Sequence, residues 1–210
     1  MIITIGRQTG SGGHIIARRL AENLGLRFYD KELLDIAAME SGFDKKFFES
    51  NDEKHGFFHN FFGMTMHAGH SGMYGDGLVN NKFSQEALFR FQADAIRKAA
   101  EEGDCVFVGR CADYILRDFG GLLNVFISAN YDDRIRRIVE NSKYDTEELA
   151  AKRIAAQEKS RSSFYQFYTG KKWGDAASYD LTVNSSCLGL EKTEEYIRSF
   201  VFYFFGKDRS

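Results

Sequence analysis

Apolar residues along this chain fall into short runs, separated by longer stretches with helical spacing. The runs are 2–5 (IITI), 26–29 (LRFY), 104–108 (DCVFV), 123–127 (LNVFI) and 179–184 (YDLTVN). Those at 104–108 and 123–127 are nearly continuous, as expected of parallel strands covered on both faces. Between them, residues 14–24 place Ile15, Ile16, Leu20 and Leu24 on one helical face, and 84–102 form a long amphipathic run opening at Ser84 with Glu86 close behind. Further helices fit 111–118, 131–142, 145–168 and 190–205. Alternation of this kind predicts an α/β doubly wound sheet. Residues 43–81 break the pattern. They are rich in Phe, Gly, His and Met, hold no convincing strand, and read as an insert between the second and third strands, with Gly69, Gly72, Gly75 and Gly77 marking a loop.

A length of 210 residues with 43% hydrophobic content suits one domain over 1–210 that carries a small insert. The net charge of -2 gives no global reason to expect nucleic acid or an anionic membrane as a partner. The opening MIITI is too short for a leader and ends in a glycine turn, and no apolar run can span a bilayer, so the expected location is cytoplasmic. Cys105, Cys111 and Cys187 show no CxxC spacing and read as free thiols. The chain has no proline, so it has no X-Pro isomerisation phase.

Chemistry enters at GRQTGSGGH, between the first strand and the first helix. A strand, a glycine turn and a helix bring free backbone N–H groups and a positive helix end to one point, which binds phosphate without any side chain. Gly10, Gly12 and Gly13 allow the required backbone, and Ser11 and His14 can add donors. The alternative is a tight structural turn. Against the phosphate-loop pattern GxxxxGK[ST], Arg7 stands for the first Gly, Gly12 for the second, Gly13 for Lys and His14 for Ser/Thr. The missing lysine and hydroxyl must be offset by cations from elsewhere, and Arg7 is the one the turn can direct inward.

Two further features carry charge. Arg110 follows the strand at 104–108, at the carboxyl end where open α/β sheets bind ligands. Residues 152–172 hold Lys152, Arg153, Lys159, Arg161, Lys171 and Lys172 against Glu158 alone, and Arg153 and Arg161 can share a helical face. A basic helix beside a phosphate site suits phosphoryl transfer; a solvated helical face is the alternative. Arg134 and Arg137 fit equally well as a solvated face paired with Asp132 and Asp133. His55, His59, His67 and His70 lack a cysteine or acid that completes a ligand set, so the metal site is left unknown. Phe57, Phe58, Phe61 and Phe62 read as a satellite core, a lid or a partner surface, and the C-terminal SFVFYFF run as core or as the cap of a homodimer. Trp173 either stacks on a base or anchors a loop.

Taken together, ITIGRQTGSGGHIIARRLAENLGLRFYDKELL, CVFVGRCADYIL, VFISANYDDRIRRI and FYTGKKWGDAASYDLTVNSSCLGLEKTEEYI resemble the cytidylate kinase-like family, a divergent branch of the P-loop nucleoside monophosphate kinases. In that branch Gly-Gly replaces Gly-Lys. The resemblance implies a P-loop NTPase-type five-stranded parallel sheet in order 2-3-1-4-5, with an acceptor-site insert over about 31–85 and a helical lid over about 152–175. It implies ATP over Gly10, Ser11, Gly12, Gly13 and His14 with help from Arg7, Arg134 and Arg137, and Mg2+ as cofactor. It puts the acceptor near Asp30, Lys31, Arg110 and Asp113 and makes Arg161 a lid arginine; with Arg153 from the same basic run, Arg110 and Arg161 are the candidate catalytic residues. The implied reaction is γ-phosphoryl transfer to a nucleoside monophosphate, CMP or dCMP first. The alternatives are a kinase of another small molecule on this fold and a nucleotide-binding regulatory module with little turnover.

Overall fold

The computed structural model describes residues 1–31, 33–34, 77–142 and 146–206, with backbone alone over 77–85. The expectations placed on His55, His59, His67, His70, the phenylalanines at 57–62 and the glycines at 69–75 lie outside these residues, as does most of the 31–85 segment.

Five strands form one parallel sheet: β1 (Ile2–Arg7), β2 (Arg27–Tyr29), β3 (Cys105–Val108), β4 (Leu122–Ser128) and β5 (Leu181–Asn184). Their order is β2-β3-β1-β4-β5, the order that the resemblance implies. Among the described residues the helices are α1 (Gly13–Leu24), α2 (Gly77–Glu101), α3 (Ala112–Ile115), α4 (Tyr131–Glu140), α5 (Glu147–Thr169) and α6 (Ser185–Phe205), and a short 3-10 turn spans Ala176–Ser178. α2 starts at Gly77, ahead of the expected Ser84, which removes Gly77 from the loop. α3 is a single turn rather than a helix over 111–118. α6 begins earlier than position 190 because the Asn184 side chain caps it, accepting from the Ser186 N–H at 2.9 Å, and the helix breaks at Gly189.

Alternate strand residues feed two cores. Ile3, Ile5, Val106, Val108, Leu123, Val125 and Ile127 pack with Ile16 and Leu20 of α1 and Ile197 and Val201 of α6. Ile2, Cys105 and Phe107 face the other way, onto Ala93 and Ile96 of α2 and Ile115 of α3. Each fully buried side chain of this size contributes roughly 1.5–3 kcal/mol. The C-terminal aromatic run is thus divided: Val201 is buried and Phe200 and Phe205 pack against the core, while Tyr203 and Phe204 are exposed. Covering both faces of a parallel sheet leaves only its ends open, and the carboxyl ends of β1, β2 and β3 meet at one place.

Candidate active site

β1 runs straight into the glycine turn, where Gly10 and Gly12 take left-handed φ values of 77° and 75°. The turn is held from behind by its own carbonyls. The Gln8 carbonyl accepts from Ser11 N–H at 3.3 Å and from the Ser11 hydroxyl at 2.8 Å. Arg134 Nε donates to the Thr9 carbonyl (2.7 Å), Arg137 Nη1 to that of Gly10 (3.3 Å), and the Ser185 hydroxyl to that of Ser11 (2.7 Å). Gly12 O accepts from Ile16 N–H at 3.0 Å, the first bond of α1. Five consecutive carbonyls are therefore engaged. Among the described residues the N–H groups of Gly10, Gly12 and His14 have no acceptor, while that of Gly13 donates to the Ser11 hydroxyl at 3.2 Å. Drawing the oxygens away while leaving amides open gives a concave surface of positive potential. Helix α4 closes its back: a Cβ on Gly10 would lie 2.7 Å from the Arg134 carbonyl oxygen.

These contacts give several residues a defined place. Arg134 is buried and also pairs with Glu158 at 2.6 Å, while Arg137 Nη1 reaches the Ser185 hydroxyl at 3.1 Å. Both arginines hold the loop's backbone. The Ser11 hydroxyl is spent inside the turn. His14 is half exposed, and its Nε2 lies 3.0 Å from Asp30 Oδ2.

The missing lysine has a steric counterpart. A Cβ on Gly13 would fall 2.6 Å from the Arg7 Cβ and 3.1 Å from its Cγ. The stem of Arg7 thus fills the space that a side chain at position 13 would need. Its guanidinium continues across the turn and rests on Gly109, whose missing Cβ makes room for Nη1. Burial, with Arg161 and Arg110 nearby, lowers the Arg7 pKa to about 9, and Asp30 opposes the shift. Arg7 is still a cation at neutral pH. Arg161 donates from Nη1 to the Arg7 carbonyl at 3.1 Å, and burial lowers its pKa as well.

At the end of β3, Gly109, Arg110 and Cys111 take φ values of 81°, 56° and 54°. Two consecutive non-glycine residues in the left-handed region cost on the order of 1–3 kcal/mol each and mark an over-determined turn. The Arg110 guanidinium lies 5.6 Å from the ring centroid of Phe164 on α5. Asp113, in α3, accepts from the Tyr165 hydroxyl at 2.6 Å. Burial pushes the Asp113 carboxyl up, and the Tyr165 bond pulls it down. At the end of β2, Asp30 is buried; its Oδ1 accepts from Leu33 N–H at 3.1 Å, and Arg18 lies 3.7 Å from its Oδ2. Lys31 is half-buried beside it.

Helix α5 meets this site along one face. The Thr9 hydroxyl donates to Gln157 Oε1 (3.2 Å), Thr9 N–H approaches Glu158 Oε1 (3.4 Å), and Arg161 and Tyr165 follow on the next turns. Phe89 of α2 stacks on Tyr168 at 3.6 Å between centroids. Arg153 is exposed, roughly a quarter turn around the helix from this face, so the structure brings together Arg7, Arg110 and Arg161 and leaves Arg153 outside. Trp173 packs edge-on against Phe126 at 5.4 Å, which makes it an anchor for the loop after α5.

The sequence reading missed Gln157, Glu158, Tyr165 and Ser185. Only Ser185 carried a local signal: an Asn-Ser pair at a strand's carboxyl end is a helix cap, and caps there face ligand loops. Among the described residues no group of three His, Cys, Asp or Glu is placed to hold a metal ion, and no helix is long and apolar enough to cross a membrane.

A sequence profile described as the cytidylate kinase-like family matches residues 2–187. A cytidylate kinase from Methanopyrus kandleri is 27% identical, over 96% of this chain and 93% of its own. Among solved structures, an uncharacterized protein from Eubacterium ventriosum superposes with a TM-score of 0.70 at 28% identity, covering 96% of this chain and 98% of its own. Shikimate kinase from Bacteroides thetaiotaomicron gives 0.51 at 15% identity over 96% and 98%, a likeness of fold.

Proposed function

The chain belongs to the cytidylate kinase-like family, and from that premise we propose that it transfers the γ-phosphoryl group of ATP to a nucleoside monophosphate, with CMP or dCMP the first acceptor to test. The observation that carries this reading is the meeting of three guanidiniums, Arg7, Arg110 and Arg161, beside a loop with open N–H groups. Like charges brought together at such a cost call for a polyanion. The residues present fit a triphosphate: amides of Gly10, Gly12 and His14 for its oxygens, and Arg7 for the charge that a loop lysine would carry.

An acceptor phosphate is already a nucleophilic anion, so the protein's work is positioning and charge neutralisation rather than proton abstraction. Arg110, presented by the left-handed turn, is set for the acceptor phosphate, with Asp30 and Lys31 flanking it. Arg161, on α5, is set for the group in flight. Residues 152–175 act as a lid in this reading, and α5 as described is closed on the loop. Mg2+ would take phosphate oxygens and water, adding charge neutralisation, and two carboxylates act on the guanidinium cluster, Asp30 on Arg7 and Glu158 on Arg161. In this reading the chain is one P-loop kinase domain.

The test is an ADP-release assay over nucleoside monophosphates and small alcohols, paired with thermal shift against ATP and CMP. Turnover with CMP or dCMP above all others is the expected result. Turnover of an alcohol alone moves the chain to another small-molecule kinase, and stabilisation by ATP with no turnover makes it a regulatory nucleotide-binding module.

A further inference from the structure

We propose that Tyr165 is a positioning residue: through its hydrogen bond to Asp113 it locks α5 onto the left-handed Gly109–Cys111 turn and so fixes Arg110 for the acceptor phosphate. The assignment rests on the phosphoryl-transfer reading for its kinetic consequence, but not for the contact itself.

A turn with left-handed φ at both Arg110 and Cys111 persists only where its surroundings impose it. Part of that constraint is local. Gly109 N–H donates to the Ile5 carbonyl at 3.1 Å, and Cys111 and Ala112 are buried. The helix that follows, α3, is one turn long and supplies little stability of its own. Just past the turn, a side-chain bond ties it to another element: Tyr165, 52 residues away, donates to Asp113 of α3 at 2.6 Å. Tyr165 is buried. It lies four residues after Arg161, hence on the same face of α5. One rigid helix therefore carries two contacts: Arg161 on the Arg7 carbonyl at the donor side, and Tyr165 on the Arg110 turn at the acceptor side. Phe164 and Tyr168 flank the second contact, against Arg110 and Phe89. Docking of α5 and presentation of Arg110 are thus a single event.

The test uses Tyr165→Phe, Asp113→Asn and the double variant of the full chain. Hydrogen exchange read by mass spectrometry on the ligand-free proteins needs no substrate. Amides of 109–116 and of 161–169 should exchange faster together, by about tenfold, with α1 unchanged. In the ADP-release assay with CMP as probe, each single variant should raise the CMP KM about tenfold, while the ATP KM stays within about twofold. The double variant should be no worse than either single. Unchanged exchange in both segments, additive kinetic losses, or equal effects on the ATP and CMP KM values would overturn the assignment. If the wild-type protein does not phosphorylate CMP, the reaction reading fails, and the exchange result still decides whether the lock exists.

Discussion

In the proposed phosphoryl-transfer reading, the donor and acceptor halves of this site are built on opposite principles. The donor half is backbone: its open amides are presented by a turn whose carbonyls are pinned by Arg134, Arg137, Ser185 and Ser11. The acceptor half is side chain: Arg110, Asp30 and Lys31 project from strand ends, and a strained turn and α5 hold the first in place. A backbone site tolerates change in what surrounds it but no added Cβ. A side-chain site tolerates added bulk but no loss of charge. The contrast predicts which kind of substitution harms which half.

Gly10→Val should have the largest effect. It combines a β-branched residue at φ 77° with a Cβ 2.7 Å from the Arg134 carbonyl oxygen. ATP affinity by calorimetry should fall at least about a hundredfold in a protein that circular dichroism shows to be folded; near wild-type affinity would remove the backbone account of the donor half. Next comes Arg161→Ala, which deletes the guanidinium that joins the halves. It should lower kcat by about 10² to 10³ with the ATP KM changed less than about tenfold. Arg161→Lys should recover only part, because it lacks the fork that grips two oxygens.

How far the sequence foretold this contrast depends on the range of the interactions involved. Strand runs and helical spacing are local patterns, so the sheet and its helices were readable, apart from the one-turn α3 and the early starts of α2 and α6. Arg7, Arg110 and Arg161 were readable because each lies at a landmark: a strand end or a basic run. The roles of Arg134 and Arg137 were not, since their partners are carbonyls more than 120 residues away. Tyr165 was hidden for the same reason, as one aromatic among several in SFYQFY.

Smaller effects sharpen the comparison. Gly13→Lys should not raise turnover, and a several-fold loss is expected, because its Cβ would meet the Arg7 stem at 2.6 Å. Combining it with Arg7→Gly, which removes the Cβ that alanine would keep, should relieve the clash and regain activity relative to Arg7→Gly alone; a hundredfold gain from Gly13→Lys by itself would show that the native donor half lacks charge. Arg153→Ala should be the mildest, with kcat within about twofold, since that side chain is exposed beside the contact face. A tenfold loss would extend the side-chain half along α5.

The passage of Arg7 over Gly13 also decides how this protein responds to chemical labelling. Acyl-phosphate nucleotide reagents tag kinases by acylating a lysine amine held against the phosphates. The turn from Arg7 to His14 contains no lysine, so such reagents find no amine within it, and a survey based on lysine capture would pass over this loop. Arginine-selective dicarbonyls would meet the opposite situation. The cation that crosses this loop is the Arg7 guanidinium, and bound nucleotide would shield it.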